Sequence, residues 1–128
     1  MLLKKRILAA GLALGVIAAC NTPSVPLPPP DLPALSFQPP TVPTPGFVVL
    51  DGKPSQRHID ARFSVLNRSN GEGVIVTAGH DGAFTTAPFA GVDGDTIQMY
   101  YDTFEGEHST ELCVELRTGV MLISTSCP

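Results

Sequence analysis

The sequence predicts an all-β fold, a single antiparallel β-sandwich of about seven strands built from residues 47–128. Apolar stretches in this region are short, alternate with polar residues at a period of two, and are separated by glycine-rich turns. No window of ten residues there carries apolar side chains at helical spacing. A region of this length can bury one small core but not two, which predicts a single domain.

Seven short apolar stretches are predicted strands, and three of them, at 59–65, 97–101 and 112–116, show this alternation. The seven are residues 47–50, 59–65, 74–78, 84–86, 97–101, 112–116 and 120–124. Glycine, asparagine and aspartate residues that favour turns separate them. The β-branched run at 74–78 is typical of a central strand. Tyr100 and Tyr101 face opposite sides of their strand, so one is expected in the core and the other exposed.

Residues 1–19 have the pattern of an export signal. Basic residues at positions 4–6 precede an apolar run at residues 7–19, which matches the hydrophobic part of a secretory signal peptide. The run is shorter than the roughly 20 residues of a membrane-spanning helix, and Pro23 prevents its extension. We therefore predict that this segment is removed from the mature protein.

The residues that end this run, Ile17-Ala18-Ala19-Cys20, resemble the lipobox of bacterial lipoproteins. The resemblance implies that Cys20 becomes the first residue of the mature chain and carries a thioether-linked diacylglycerol and an amide-linked acyl chain such as palmitate. Two or more acyl chains anchor a protein stably, since each buried CH₂ contributes about 0.8 kcal/mol. Aspartate at the next position is the usual inner-membrane retention signal in Gram-negative families. Asn21 therefore favours the outer membrane, with the domain on its periplasmic or outer face.

Residues 20–46 form a proline-rich segment that we predict to be a disordered tether. Ten of the 13 prolines lie between Pro23 and Pro45, and proline lacks the N–H that helices and inner strands require. A polyproline II conformation at about 3.1 Å per residue gives a reach of up to roughly 80 Å. A plain spacer is the favoured interpretation, and a ligand for an aromatic groove, of the PxxP type, is the alternative.

Several short motifs of the predicted domain resemble bacterial immunoglobulin-like modules. Those modules run as a valine/threonine strand, a DGxF turn, a GDxI strand entry, and a strand that ends in aspartate and glycine before serine. The matching residues are 73–77, 81–84, 94–97, Asp102, Gly106 and Ser109. Glu107 and Cys113 depart from the pattern, and sandwiches of the carboxypeptidase-regulatory type share much of it. The resemblance implies an immunoglobulin-like β-sandwich with a scaffold or adhesive role and no chemistry of its own.

Charge excludes one class of partner. Loss of the basic residues at positions 4–6 leaves five basic and twelve acidic residues, a formal net charge of −7 for the mature chain. We therefore expect no binding to nucleic acid and no attraction to anionic lipid headgroups. The acyl chains alone are predicted to hold the protein at the membrane.

Cys113 and Cys127 remain once the lipidated cysteine is set aside, and an even pair in an oxidising compartment predicts a disulfide. The register of the last two predicted strands opposes this pairing. If Thr118-Gly119 is a two-residue hairpin turn, Cys113 lies opposite Ser124, and Cys127 is about three residues, roughly 10 Å, too far along. The chain end must curl back to close the bridge; two unpaired thiols are the alternative.

Acidic residues concentrate between positions 93 and 107, where carboxylates and backbone oxygens can hold calcium. Asp93, Asp95 and Asp102 are the calcium candidates. Their spacing matches no dedicated calcium loop, and acids are ordinary residues of β-turns, which is the favoured interpretation. The histidines are scattered and lack zinc-binding spacing, and no catalytic motif occurs. We expect no metal, no cofactor and no catalysis.

The sequence thus predicts a lipid-anchored cell-envelope protein that displays a small β-sandwich as a structural or interaction module of the adhesion type. We expect it to be monomeric and to have a protein or glycan partner. A small carbohydrate-binding or other ligand-binding module at the same location is the alternative, and an exposed aromatic or concave sheet face would favour it.

Overall fold

A computed structural model describes residues 25–128, so the predicted signal peptide and Cys20 lie outside the described residues. The described chain forms nine β-strands and two short 3₁₀ turns, Leu32–Ala34 and Gln56–His58, without an α-helix. The strands are β1 (Leu35–Gln38), β2 (Phe47–Gly52), β3 (Arg62–Asn67), β4 (Gly73–Thr77), β5 (Phe84–Thr85), β6 (Phe89–Ala90), β7 (Thr96–Asp102), β8 (Leu112–Glu115) and β9 (Ser124–Thr125). Within residues 25–128, no helix is long and apolar enough to cross a membrane.

Two antiparallel sheets of four and five strands form the sandwich, which confirms the predicted all-β fold class. The first sheet has the order β1-β2-β5, and β6 also pairs with β2. Between β5 and β6, Thr86 keeps contact with β2 because its hydroxyl accepts the Leu50 N–H at 2.9 Å. The second sheet has the order β4-β3-β7-β8-β9. β1 and β6 are the two strands that the sequence pattern did not predict.

The core between the sheets follows the predicted alternation. Phe63 of β3 pairs with Tyr101 of β7, and both side chains are buried. The Phe63 ring stacks on Phe84 of the first sheet, with 4.2 Å between centroids, and Phe37 of β1 is also buried there. Tyr101 is therefore the core tyrosine, whereas Tyr100 is half-buried on the outer face of the sheet.

The folded part begins earlier than the predicted boundary at Phe47. β1 pairs with β2 over its whole length, and Leu35 and Phe37 are buried, so this stretch belongs to the first sheet and not to a disordered tether. The physical reason is a proline-free run between Pro33 and Pro39 in which apolar and polar residues alternate. β1 lies at a sheet edge, where neighbouring prolines cost no ladder hydrogen bond.

Contacts with the sandwich extend back to Leu27. Leu27 forms a β-bridge with Ser109, and the Asp31 N–H donates to Nε2 of His58 at 3.0 Å. The Ser55 hydroxyl donates to the Asp31 carboxylate at 3.1 Å. The predicted tether is therefore shortened to the residues that precede Leu27.

Two predicted strands differ in position. The run at 74–78 was expected in the centre of a sheet, but β4 is an edge strand and Ile75 is 56% exposed. β-Branched residues favour any strand, and the chain topology decides which strand is central. The last strand was expected at 120–124 after a two-residue turn, but β9 begins only at Ser124, so a longer loop connects it to β8.

Candidate functional site

The open edge of β4 is the strongest candidate for a functional site. The Ala78 N–H donates to the Ala61 carbonyl of the neighbouring chain segment at 2.8 Å. Because hydrogen-bonded and non-bonded positions alternate in an antiparallel ladder, the backbone groups of Gly73, Ile75 and Thr77 point away from β3. No other hydrogen bond within residues 25–128 involves these outward N–H and C=O groups. The edge is therefore a template for one more strand.

β4 lacks the residues that usually protect a sheet edge from pairing with another chain. Natural edge strands commonly carry a charge or a proline that blocks pairing with other chains. β4 carries neither, and its exposed central residue, Ile75, is apolar. The sequence shows the uncharged run but not that it lies at an edge, and for this reason sequence reasoning missed the site.

A depression of about 740 Å³ adjoins this edge on the outer face of the second sheet. Its floor is formed by Leu66, Ile75 and Tyr100, which share one face through the register of β3 with its two neighbours. Gly73 has no side chain to fill the space beside Leu66. At the rim, Nη1 of Arg68 donates to the Gln98 side-chain oxygen at 2.8 Å. The surface thus combines an apolar floor with a polar rim.

Tyr100 is positioned by its neighbours at one end of this face. Its ring lies 4.4 Å from the ring of His108, measured between centroids. Nδ1 of His108 in turn forms a 2.7 Å hydrogen bond with Oδ1 of Asp102. These contacts hold the half-buried aromatic side chain in place where it lines the depression.

The calcium candidates are not brought together. Asp93 accepts the Thr118 N–H at 3.1 Å, and Asp95 accepts the Asn67 side-chain amide at 2.8 Å. Asp102 lies at the far end of the seven-residue strand β7, roughly 20 Å from Asp95 at the rise of an extended strand. In the part of the chain that the structure describes, no group of three or more His, Cys, Asp or Glu residues can hold a metal ion. Asp93 and Asp95 instead accept hydrogen bonds that join the turn before β7 to segments distant in sequence.

The predicted pair Cys113 and Cys127 forms a disulfide, with 5.2 Å between the Cα atoms. Cys113 pairs with Thr125 and not with Ser124, which leaves Cys127 two residues and not three beyond the paired position. The chain after Thr125 curls back over the outer face of β8. Cys113 is consequently buried although its side chain points away from the core.

His58 is a buried residue that the sequence placed among scattered loop histidines. Its ring packs edge-on against Phe63, with 4.8 Å between centroids, and Nδ1 has no hydrogen-bond partner. Burial lowers the pKa of His58, and the nearby Arg57 lowers it further, while Asp31 opposes them. The imidazole is therefore neutral at pH 7. His80 is on the surface, with Nδ1 2.7 Å from the Asp60 carboxylate.

No protein-family model, curated protein or solved structure matches the chain. The lipobox residues and Cys20 lie outside the described residues. The sequence motifs and the geometry of the sandwich therefore remain the guides to its function.

Proposed function

We propose that this chain is a lipid-anchored cell-envelope protein whose β-sandwich binds an extended segment of a partner protein by strand addition to β4. The observation that carries the proposal is the open backbone edge at Gly73, Ile75 and Thr77 beside an apolar depression. In strand addition, main-chain hydrogen bonds provide affinity, and pockets for alternate side chains provide specificity.

The partner segment has a defined chemistry under this proposal. Its alternate side chains, at a period of two, are apolar where they meet Ile75 and Leu66. A flanking polar group pairs with the Arg68 guanidinium at the rim of the depression. A strongly acidic segment is disfavoured because the mature chain carries a formal net charge of −7.

The lipid anchor rests on the Ile17-Ala18-Ala19-Cys20 motif after a basic and apolar signal. Leu27 is already part of the fold, so an anchor on Cys20 keeps the sandwich within about 25 Å of the acylated residue at roughly 3.5 Å per residue. The partner is then a protein of the same envelope face. This arrangement replaces the long stalk that the proline content predicted.

Replacing Cys20 by serine is expected to move the protein from the membrane fraction to the soluble fraction, since the acyl chains are its proposed attachment. Fractionation of cells followed by immunoblotting measures the distribution, and mass spectrometry of the wild-type N-terminus detects the acyl groups. A Cys20→Ser form that still sediments with membranes contradicts the anchor.

Partner binding at β4 is expected to depend on Ile75 itself. A photo-activatable benzoylphenylalanine at position 77, in the otherwise native full-length chain, should cross-link one discrete envelope protein in intact cells. Ile75→Lys should abolish this adduct, because a charge at a sheet edge opposes pairing. We expect the same substitution to change the free energy of unfolding by less than about 0.5 kcal/mol, as is usual on a surface.

Gln98→Lys is the matched control, since it adds the same charge on the same face but on the inner strand β7. It should leave the adduct intact if the partner pairs with the edge. An adduct that survives Ile75→Lys overturns strand addition. Benzoylphenylalanine at Val92, in a loop at the far end of the sheet, reports nonspecific cross-linking.

A small carbohydrate or similar ligand in the depression is the second candidate function. The half-buried ring of Tyr100 in the apolar floor, with polar groups at the rim, favours it. Under this alternative, Gln98→Lys and Tyr100→Ala both reduce binding, whereas strand addition requires only the edge. Binding of a glycan array to the purified protein, compared among these variants, separates the two functions.

A further inference from the structure

The first described residues approach the sandwich from one particular end. Leu27 forms a parallel bridge with Ser109, and its carbonyl accepts the Thr110 N–H at 3.0 Å. The Tyr101 hydroxyl donates to the Pro28 carbonyl at 3.2 Å. These contacts attach the segment beside the end of β7.

The direction of the bridge orients the chain that precedes Leu27. Because the two segments run parallel, Val25 and Pro26 lie on the side of His108 and Glu107, which come before Ser109. Val25, Leu27, Glu107 and His108 line one shallow surface depression. The described chain therefore begins at this end of the sandwich.

The same end carries the most exposed phenylalanine of the described chain. The turn after β7 is closed by the Thr103 N–H, which donates to the Glu107 carbonyl at 2.8 Å, and by the Gly106 N–H, which donates to the Thr103 carbonyl at 2.9 Å. Phe104 lies at its tip and is 83% exposed, and Val25 is 86% exposed. An aromatic ring this exposed gains nothing from packing within the domain.

We propose that this end of the sandwich, with Phe104 and Val25 at its tip, contacts the lipid bilayer. The proposal rests on the lipid anchor at Cys20. The anchor lies seven residues before Leu27 in sequence, and Val25 and Pro26 lie beside Glu107 of the Phe104 turn, so we expect the bilayer to face this end. Aromatic side chains favour the boundary between headgroups and acyl chains, where an apolar ring meets a polar environment.

Charge limits the depth and the lipid preference of this contact. Glu105 and Glu107 accompany Phe104 in the turn, and carboxylates stay in the headgroup region and are repelled by anionic lipids. The contact is therefore interfacial and stronger on zwitterionic membranes. In this orientation the strands run perpendicular to the membrane plane. The open edge of β4 then faces sideways, toward a neighbouring envelope protein.

The chain contains no tryptophan, so the fluorescence of a single introduced tryptophan reports the environment of that one position. Mature acylated protein carrying Phe104→Trp is reconstituted into phosphatidylcholine vesicles with or without brominated acyl chains. We expect a blue shift and a loss of emission with the brominated lipid. Val92→Trp, at an exposed apolar position on the opposite end of the sheet, should show neither. Added phosphatidylglycerol should reduce the loss of emission from the Phe104→Trp protein.

The outcomes distinguish a failure of the proposed membrane contact from a failure of the proposed lipid anchor. If the acylated protein floats with the vesicles but the Phe104→Trp variant is no more quenched than the Val92→Trp variant, the contact is wrong while the anchor stands. If the purified chain lacks acyl groups and does not float, both proposals fall. A protein that combines Cys20→Ser with Phe104→Trp shows whether the turn binds vesicles without an anchor, which we do not expect from one aromatic residue.

Discussion

Replacing both Cys113 and Cys127 by alanine is expected to lower the free energy of unfolding by about 3 kcal/mol, the value for a loop of about 15 residues. The cysteines are 14 residues apart in sequence. Besides the disulfide, the two-residue strand β9 and the buried side chain of Leu122 hold the chain end, whereas Val120, Met121 and Ile123 are exposed. For a domain whose total stability is about 5–15 kcal/mol, this loss is large.

Urea denaturation of the full mature chain, followed by circular dichroism, measures this effect. Alanine is preferred to serine because Cys113 is buried, and a buried hydroxyl without a partner would add its own cost. Wild-type protein in reductant is the control and should match the double variant. A difference below about 1 kcal/mol would show that the tail packs without the bridge.

Stability is expected to fall as the pH drops below about 6.5, the ordinary pKa of histidine, because His58 is buried in its neutral form. Its Nε2 accepts the Asp31 N–H, so the neutral ring carries its proton on Nδ1. A second proton would have to go to Nε2, where it meets the Asp31 N–H. Protonation therefore breaks the hydrogen bond that attaches the N-terminal segment.

The direction of the effect follows from proton linkage. The pKa of His58 is lower in the folded state than in the unfolded state, so the unfolded chain binds the extra proton first as the pH falls. The contribution of neutral His58 to stability is fully present above the pKa that this residue has in the unfolded chain. It decreases by at most about 1.4 kcal/mol per pH unit between the unfolded and the folded pKa values. The charges that face the ring are the Asp31 carboxylate and the Arg57 guanidinium.

The measurement compares urea midpoints of the wild type and His58→Gln between pH 7.5 and pH 5. Glutamine keeps an oxygen that can accept the Asp31 N–H but does not titrate. The contributions of the other titrating groups cancel in the difference between the two proteins. The wild type should lose more stability than the variant as the pH falls; parallel pH profiles would show that His58 is not responsible.

Much of the sandwich could be predicted from local pattern. The alternation at residues 97–101 placed Ile97, Met99 and Tyr101 on one face of the strand, and the structure has all three in the core. Gly82, expected in a tight turn, has a positive φ of 84°. Side-chain periodicity and turn chemistry depend on neighbouring residues, so they can be read from the chain directly. The disulfide followed from cysteine parity, although its register did not.

Position within a sheet could not be predicted in this way. The prolines around residues 35–38 predicted a tether where β1 lies. A short alternating stretch like β1 gains its stability only from β2 and from the core beneath it. The run in β4 has the same pattern at a sheet edge as at a sheet centre, and only the pairing of β3 with β7 leaves it open. The candidate binding site is a consequence of that placement.

By itself, the sequence determined the all-β class, the alternating core residues, the cysteine pair and the motif that predicts a lipid anchor. The tertiary structure alone decided where the fold begins, that β4 presents an open apolar edge, that His58 is buried, and that Phe104 lies at the end where the chain enters. The physical reason is range: propensity and periodicity act over a few residues, whereas exposure, burial and free backbone groups depend on segments far apart in sequence.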